Sequence, residues 1–463
     1  MKFSLSKYYI FWILAVCLLV FAVIEIVEAK KPTPTPEEPL ELYDKNIITT
    51  TPIGEVMRVW GYVSPDPVYG YEDIWTKEGE RYKAVALGDI DGLPGRELCA
   101  ASVNYVCEGR GRQRKCDYRI VVDVYREGLP GVQLSSPEVH DRSCVICELV
   151  LADVDGDSVD EIILTTDRNL VVFKYDDLKN EIVELDSKSD FLADLDKDYW
   201  IWSMAVADIF PENEPNQQNE ILVTVNPMGL DSKEGYLFIF KLNSKADDDK
   251  LIWYLDPVFN NLGDPYPWKL GSHSLAAGDS DDNDTLDTLC ATAFNYVPVE
   301  NEIYYDNYLV IWDIEEDGEA YTFTCRPAIP ISSSAEGPIY LDVGDVYPSN
   351  VGDEIVLLRR DVPTDTLELY SFDGTSLELI KTPTLSEGYF SMVRVADSDE
   401  DGQIEIICVG GVPQKAGKKG RATTRSDYYI EVFGLINGNI ESEWRTHGGE
   451  SGRDEAPWDA SVG

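Results

Sequence analysis

Carboxylates recur at alternate positions in several short loops of this sequence. The loop DVDGDSVDE places Asp153, Asp155, Asp157 and Glu161 at its first, third, fifth and ninth positions. Alternate spacing in a tight loop turns successive side-chain oxygens towards one centre. Several hard, anionic oxygens suit Ca²⁺, which takes about six to eight oxygen ligands in flexible geometry, whereas without a cation the carboxylates would repel one another. We therefore predict a Ca²⁺ site in this loop.

Three further loops repeat the pattern. A weaker copy has Leu93 at its fifth position, but its remaining carboxylates still indicate ion binding. The alternative for any single loop is an acidic, solvated turn without an ion, and the recurrence of well-formed loops favours the ion. The predicted ligands are Asp397, Asp399, Asp401 and Glu405 in one loop, Asp279, Asp281, Asn283 and Asp287 in the second, and Asp89, Asp91 and Glu97 in the weaker copy.

These loops belong to a longer repeat, in which a small or apolar run leads into an aspartate and an apolar strand follows the loop. A unit of roughly sixty residues with several short, β-branched and aromatic strands has the size of a four-stranded propeller blade. The loop at Asp208 contains an insertion and the loop at Asp345 lacks a carboxylate at its third position, so we expect little or no ion binding there. The leading aspartates are Asp89, Asp153, Asp208, Asp279, Asp345 and Asp397.

The end of the chain begins a seventh copy. The run WDASVG, Trp458 to Gly463, matches the residues that lead into Asp279 and Asp345. Two interpretations follow: the sequence is a fragment of a longer protein, which we favour, or this last strand closes a ring with N-terminal strands near Val56 to Tyr62. A propeller avoids exposed sheet edges only when its ring is closed.

The repeats resemble FG-GAP/VCBS repeats, the units of the integrin-α-type β-propeller. The resemblance covers roughly Tyr82 to the C-terminus, and DVDGDSVDE and DSDEDGQIE are its most specific parts. It implies an all-β fold, a seven-bladed β-propeller of six complete units plus the start of a seventh, with Ca²⁺ in loops joining the first and second strands of some blades. It also implies extracellular adhesion or ligand binding more often than catalysis.

The N-terminus has the pattern of an export signal. Lys2 and Lys7 precede the apolar run Tyr8 to Ile24, and small residues follow around Ala29. We predict a cleaved signal peptide over residues 1–29; because the run is long, an uncleaved membrane anchor is the alternative. Residues 30–43 form a Pro/Thr-rich linker with extended character, and residues 44–463 form the propeller.

The cysteines fit an exported protein. Cys107 and Cys116 flank a short stretch between two predicted strands, and a hairpin brings strand ends together, so we predict a disulfide between them. Cys144 and Cys147 form a CxxC, but a strand follows where a redox motif has a helix; a disulfide and ordinary buried thiols both stay open for this pair. Three more follow the loops and are predicted as small core residues: Cys99, Cys290 and Cys408.

The formal net charge of −46 excludes a general nucleic-acid binder and adsorption to anionic lipid. Positive charge concentrates in two basic stretches, both placed between the second and third strands of a unit and thus opposite the Ca²⁺ loops. We predict that they form a binding face for an acidic glycan or an acidic protein; the alternative is two solvated loops. The stretches contain Arg110, Arg112, Arg114 and Lys115, and Lys415, Lys418, Lys419, Arg421 and Arg425.

The sequence favours a non-catalytic, Ca²⁺-binding propeller that is secreted or held at the cell surface, where it mediates binding or adhesion. Membrane contact is expected only through the N-terminal segment, if that segment is uncleaved. The alternative is a Ca²⁺-assisted extracellular lyase acting on polysaccharides, with Lys or Arg of the basic stretches as the base. A purely structural surface-layer component is a third option. The three histidines lie in unrelated contexts and offer no catalytic set.

Overall fold

The computed structural model describes most of the chain from Leu40 onwards. The N-terminal segment 1–29 and the linker up to residue 39, for which we predict an export signal and a spacer, lie outside the described residues. In the described part no helix is long and apolar enough to cross a membrane, and every regular element is a β-strand. The described residues are 40, 46–51, 56–63, 70–79, 81–108, 115–141, 145–188, 199–209, 218–227, 235–243, 250–256, 269–279, 288–299, 302–317, 320–326, 329–334, 339–350, 352–359, 365–372, 376–385, 389–398, 401–413, 426–447 and 459–462.

The strands form seven small antiparallel sheets, which are the blades of a propeller. The first three strands of the chain are β1 (Asn46–Thr51), β2 (Val56–Val63) and β3 (Gly70–Glu78). Blade 1 contains β4 (Tyr82–Gly88), β5 (Glu97–Glu108), β6 (Lys115–Arg126), β7 (Leu134–Ser135) and β8 (Val139–Asp141). Blade 2 contains β9 (Ile146–Ala152), β10 (Glu161–Thr166), β11 (Leu170–Asp176) and β12 (Glu181–Lys188). Blade 3 contains β13 (Tyr199–Ala207), β14 (Glu220–Pro227), β15 (Tyr236–Asn243) and β16 (Lys250–Asp256).

The second half of the ring repeats this up-and-down order. Blade 4 contains β17 (Lys269–Gly278), β18 (Thr288–Val299), β19 (Glu302–Asp317), β20 (Ala320–Cys325) and β21 (Ile329–Ser334). Blade 5 contains β22 (Tyr340–Gly344), β23 (Glu354–Arg359), β24 (Thr366–Phe372) and β25 (Leu377–Lys381). Blade 6 contains β26 (Tyr389–Ala396), β27 (Glu405–Pro413), β28 (Ser426–Ile436) and β29 (Asn439–His447). The last strand is β30 (Asp459–Val462).

The ring closes through a sheet made from both ends of the described chain. Strand β30 pairs with β1, with Ile47 opposite Val462, and β1 pairs with β2, which pairs with β3. The innermost strands contact one another in the order β4, β9, β13, β17, β22, β26 and β30, and β30 contacts β4 again. The predicted start of a seventh copy is therefore the inner strand of blade 7. The ring closure that we predicted as one interpretation is therefore present, with β1 rather than the strand near Val56 to Tyr62 as the direct partner of β30.

The apolar residues form one core at each of the seven blade-to-blade interfaces. Between blades 2 and 3, for example, Ile163 and Val172 pack with Val223 and Phe240. Because neighbouring blades cover both faces of each sheet, a second strand can be buried on both faces instead of alternating between buried and exposed residues. All six residues of β10 are buried. This packing fixes the first residue of each second strand, to which the acidic loop of that blade leads.

The cysteine predictions are confirmed where the structure describes them. Cys107 and Cys116 are directly opposite in the β5–β6 hairpin and form a disulfide. Cys99, Cys290 and Cys408 are buried core residues on the second strands of their blades. Cys147 is a half-buried free thiol that donates to the carbonyl of Ile201 at 3.1 Å, and its CxxC partner Cys144 lies outside the described residues.

Candidate functional site

Each acidic loop joins the innermost strand of a blade to the second strand, as the repeat predicts. A buried glutamate begins the second strand and accepts a hydrogen bond from a backbone N–H near the start of its own loop. In blade 2, Val154 donates to Glu161 Oε2 at 3.0 Å, and in blade 6 Ser398 donates to Glu405 Oε2 at 2.7 Å. The same contact recurs at Glu97, Glu220 and Glu354. We call these five residues the closing glutamates.

In blade 1 the carboxylates of Asp89, Asp91 and Glu97 approach one another closely enough to hold a metal ion. Asp89 Oδ1 also accepts the backbone N–H of Gly92 at 2.7 Å, so this side chain orders the turn. The Asp91 carboxylate is nearly inaccessible to solvent and lies 2.8 Å from the guanidinium of Arg126. The predicted cluster is therefore assembled, with one protein cation bound at its side.

In blade 2 the structure brings together Asp153, Asp155 and Glu161, whose ligand oxygens lie within 4.8 Å of one another. Both Asp153 oxygens accept backbone N–H groups of the loop, from Gly156 at 2.6 Å and Ser158 at 2.7 Å. These bonds wind the loop around the first aspartate. The geometry of the two clusters is thus one that could hold a cation.

A lysine ammonium points into the blade 2 cluster. Lys174, on β11, bonds to the carboxylate of Asp155, lies 2.6 Å from Asp157 Oδ2 and lies 3.3 Å from Glu161 Oε1. Burial lowers the pKa of Lys174, but its bonds to Asp155 and Asp157 outweigh that effect, so its pKa is raised overall and the ammonium stays charged. The residues that we predict as Ca²⁺ ligands in this loop are bound by a protein cation.

The closing glutamates have perturbed titration. Burial raises the pKa of Glu161 to about 8, and burial likewise raises the pKa of Glu97 to about 7. The neighbouring aspartates add to both shifts, since a nearby negative charge disfavours the ionised form. A bound cation would reverse this effect, because positive charge favours the carboxylate.

The side chain opposite the closing position on the third strand differs around the ring. Arg126 is opposite Glu97 in blade 1. Lys174 Nζ lies 3.3 Å from Glu161 in blade 2, and Lys241 Nζ lies 3.3 Å from Glu220 in blade 3. Blades 1 to 3 therefore each place a basic residue at this position. In blades 4, 5 and 6 the position is not basic. Asp313 is opposite Thr288 in blade 4, and Ser371 is opposite Glu354 in blade 5. In blade 6, Ile406 pairs with Phe433, so the next residue, Gly434, lies across from Glu405.

The loops of blades 4 and 6 are described only in part. Asp279 and Asp397 begin their loops and Glu405 ends the loop of blade 6, as predicted, and Asp401 lies within that loop. In blade 4 the strand register puts Thr288, opposite Gly278, at the closing position. Asp313, across from Thr288, already forms an ion pair with Arg326 at 2.7 Å. Asp281, Asn283, Asp287 and Asp399 lie outside the described residues.

A second set of contacts, which the sequence did not predict, links consecutive loops. Asp160 stands directly before a closing glutamate; its side chain accepts the N–H of Asp89 at 2.9 Å, and its own N–H donates back to the Asp89 carbonyl at 2.7 Å. Asp353 makes the same pair of bonds to Asp279, at 2.9 and 2.8 Å. In blade 3, Asn219 donates to the Asp153 carbonyl. In the sequence, these contacts are indicated by a polar residue directly before the closing glutamate.

The inner strands enclose a central channel with a cavity of about 550 Å³. Its wall is mostly small and apolar, and it includes Glu148, Asp342 and Arg394. Glu148 accepts the N–H of Met204, and Asp342 accepts the N–H of Val395 at 2.8 Å, so both carboxylates bind the next inner strand. Burial raises the pKa of Asp342, and Arg394 on the neighbouring strand opposes that shift.

The two basic stretches connect the strands that we predicted. Residues 109–114 join β5 to β6, and residues 414–425 join β27 to β28, so both lie between the second and third strands of blades 1 and 6. Only blade 7 separates these two blades. Lys115 begins β6, and the other eight basic residues lie outside the described residues.

Comparisons with known proteins give no family for this chain. No family model and no curated protein matches the sequence. A protein from Lactobacillus plantarum matches in structure with 8% identity over 92% of this chain and 99% of that chain, at a TM-score of 0.44. A rhamnogalacturonan lyase, YesW, matches with 12% identity over 81% of this chain and 84% of its own, at a TM-score of 0.27.

Proposed function

We propose that this protein is a non-catalytic, Ca²⁺-stabilised propeller that acts outside the cytoplasm and binds an acidic glycan or an acidic protein. The observation that carries the proposal is the acidic loop repeated at the same hairpin of the blades, between the inner strand and the second strand. The resemblance to FG-GAP/VCBS repeats supports the same role. The Cys107–Cys116 disulfide supports an oxidising compartment, since such bonds are rare in the cytosol.

The proposed ligand follows from the charge layout. On a chain of net charge −46, the two basic stretches are local exceptions, and the ring places the strands that carry them in blades separated by one blade. Arginine and lysine recognise carboxylates and sulfates through charge-assisted hydrogen bonds. We assign the binding face to these stretches and a stabilising role to the acidic loops.

Retention on sulfated and uronate glycans tests this assignment. We expect saturable retention of the full chain that falls strongly with salt. Exchange of Arg110, Arg112 and Arg114 for Gln, together with Lys415, Lys418 and Lys419, should abolish it. The control exchanges Lys179 and Lys188 for Gln, which lie on the outer hairpin of blade 2. Absence of retention by the unchanged chain, or retention that survives the six exchanges, would contradict the proposal.

A lyase is the second candidate, and one observation favours it. Asp342, whose pKa is raised by burial, and Arg394 line the same channel, and a lyase needs a base and a cationic group near a uronate carboxylate. Against it, Asp342 already holds the next inner strand through Val395. Release of unsaturated products from uronate polymers, lost in Asp342→Asn, would favour the enzyme. Binding without products would favour the module.

A further inference from the structure

Lys174 occupies the place where a cation would sit in the blade 2 loop. Its Nζ contacts carboxylate oxygens of Asp155, Asp157 and Glu161, which are the third, fifth and ninth loop positions. Glu161 is fully buried, and Lys174 and Asp155 are largely buried. These are the residues whose alternate spacing predicts a Ca²⁺ site, so the ammonium and the metal would compete for the same oxygens.

Ca²⁺ and the Lys174 ammonium cannot bind the same carboxylate oxygens at once, because both need those oxygens at short distances. Ca²⁺ requires carboxylate oxygens at about 2.3–2.6 Å from its centre on several sides, and an ammonium requires about 2.7–2.9 Å from its nitrogen to the same atoms. Because one oxygen of each of three carboxylates faces Lys174 Nζ, a Ca²⁺ could enter only after the lysine had left. The loop's first aspartate is meanwhile engaged by backbone N–H groups.

We propose that Lys174 is a built-in counter-ion that orders the Asp153 loop without Ca²⁺. Lys241 beside Glu220 and Arg126 beside Asp91 extend the same arrangement to blades 3 and 1. Three consecutive blades thus carry their own cation on the third strand. The inference rests on the proposed function and refines it, because it withholds Ca²⁺ from the loop of blade 2 and from the loops of blades 1 and 3 that carry the same arrangement.

The test counts Ca²⁺ bound per chain by isothermal titration of the full chain after chelator treatment. Lys174→Met removes the ammonium and keeps most of the side-chain volume. We expect it to bind one more Ca²⁺ than the unchanged chain, and to lose that ion again when Asp155→Asn and Asp157→Asn are added. Lys179→Met is the matched control, since the ion pairs of Lys179 in the described part of the chain are with Asp176 and Glu181 on the same hairpin.

The outcomes separate this inference from the proposed function. An unchanged chain that binds no Ca²⁺ would contradict the proposed function, yet a single ion gained by Lys174→Met would still support the counter-ion. Equal numbers of ions in Lys174→Met and the unchanged chain would overturn the inference. If Lys174→Met does not fold in chelator, folding on addition of Ca²⁺ supports the inference, and failure to fold in Ca²⁺ counts against it.

Discussion

The closing glutamates are the residues on which loop geometry depends most. Each carboxylate is buried at the start of a second strand and holds a backbone N–H of its own loop. Burying a carboxylate is costly unless it is protonated or paired. Burial accordingly raises the pKa of both Glu220 and Glu354 to about 7, and at Glu354 hydrogen bonds from Asn350 and Tyr347 limit the shift.

Glu354 predicts how the stability of the chain depends on pH at a closing glutamate that faces Ser371 and not a basic residue. Its pKa is higher in the folded chain, about 7, than the usual 4.5 of an exposed glutamate. The folded state therefore holds the proton more tightly, and the stability from this group is complete below about pH 4.5 and is lost as pH rises towards 7. Glu354→Gln should remove this slope, so that the variant gains roughly 1–3 kcal/mol on the unchanged chain between pH 4.5 and 8.

Denaturant unfolding at several pH values measures this difference. The test is how the difference in free energy of unfolding between the variant and the unchanged chain changes with pH. Its absolute size is not used, since Gln also alters the hydrogen bonds to Tyr347 and Asn350. Glu378→Gln, at an exposed position of the same blade, is the control and should show no such trend. A flat difference for Glu354→Gln across the window would contradict the assigned titration.

The sequence predicted that Asp89, Asp91 and Glu97 assemble, and likewise Asp153, Asp155 and Glu161, because ligands in one short loop are close by necessity. The fourth predicted ligand of blade 2, Asp157, is not part of its assembled group. The sequence did not predict Lys174 as the partner of the blade 2 carboxylates. That lysine is 13 residues from Glu161 and follows Phe173 on another strand, and only the register of Phe173 opposite Ile162 brings it to the loop. A basic residue in an acidic chain otherwise suggests a solvated surface position.

The loops connect blades as well as strands. Asp160 joins the loop of blade 2 to that of blade 1, and Gly88 permits the approach, because a Cβ there would lie 2.4 Å from Asp160 Oδ2. Such contacts supplement the apolar interfaces. The strands themselves were predictable from their apolar and β-branched runs, but a contact between two blades was not, since it joins residues 71 positions apart.

Removal of this link should destabilise the ring. Asp160→Ala leaves the Asp89 N–H without its carboxylate acceptor and should cost about 1–2 kcal/mol in the free energy of unfolding. Asp160→Asn keeps an acceptor oxygen for the Asp89 N–H and should cost less. Denaturant unfolding measures both, with exposed Asp177→Ala as the control. Equal stability of the Ala variant and the control would show that the link contributes nothing.

Closure of the ring is the feature of the fold that the sequence left open. The four residues of β30 could be matched to an inner strand, but their partner β1 lies more than 400 residues away and carries no leading aspartate. The all-β class, the six complete blades and the seventh unit were predictable because each repeat can be recognised from its own short sequence pattern. Which strands completed blade 7 depended on pairing between the two ends of the ring.

The net charge of −46 acts on the whole ring as well. Self-repulsion destabilises a compact acidic protein, and a divalent cation bound only by the folded state stabilises it by mass action, by about 2.7 kcal/mol at a hundred times the dissociation constant. If the acidic loops bind Ca²⁺, the global stability of the chain must therefore rise with free Ca²⁺.

Thermal unfolding of the full chain in chelator, in rising Ca²⁺ and in Mg²⁺ tests this claim most directly. We predict a midpoint that rises with Ca²⁺, rises much less with Mg²⁺ and returns in chelator. Asp399→Ala should reduce the Ca²⁺ shift, whereas Asp177→Ala should leave it unchanged. No shift with Ca²⁺, or an equal shift with Mg²⁺, would contradict the account and would identify the loops as acidic turns.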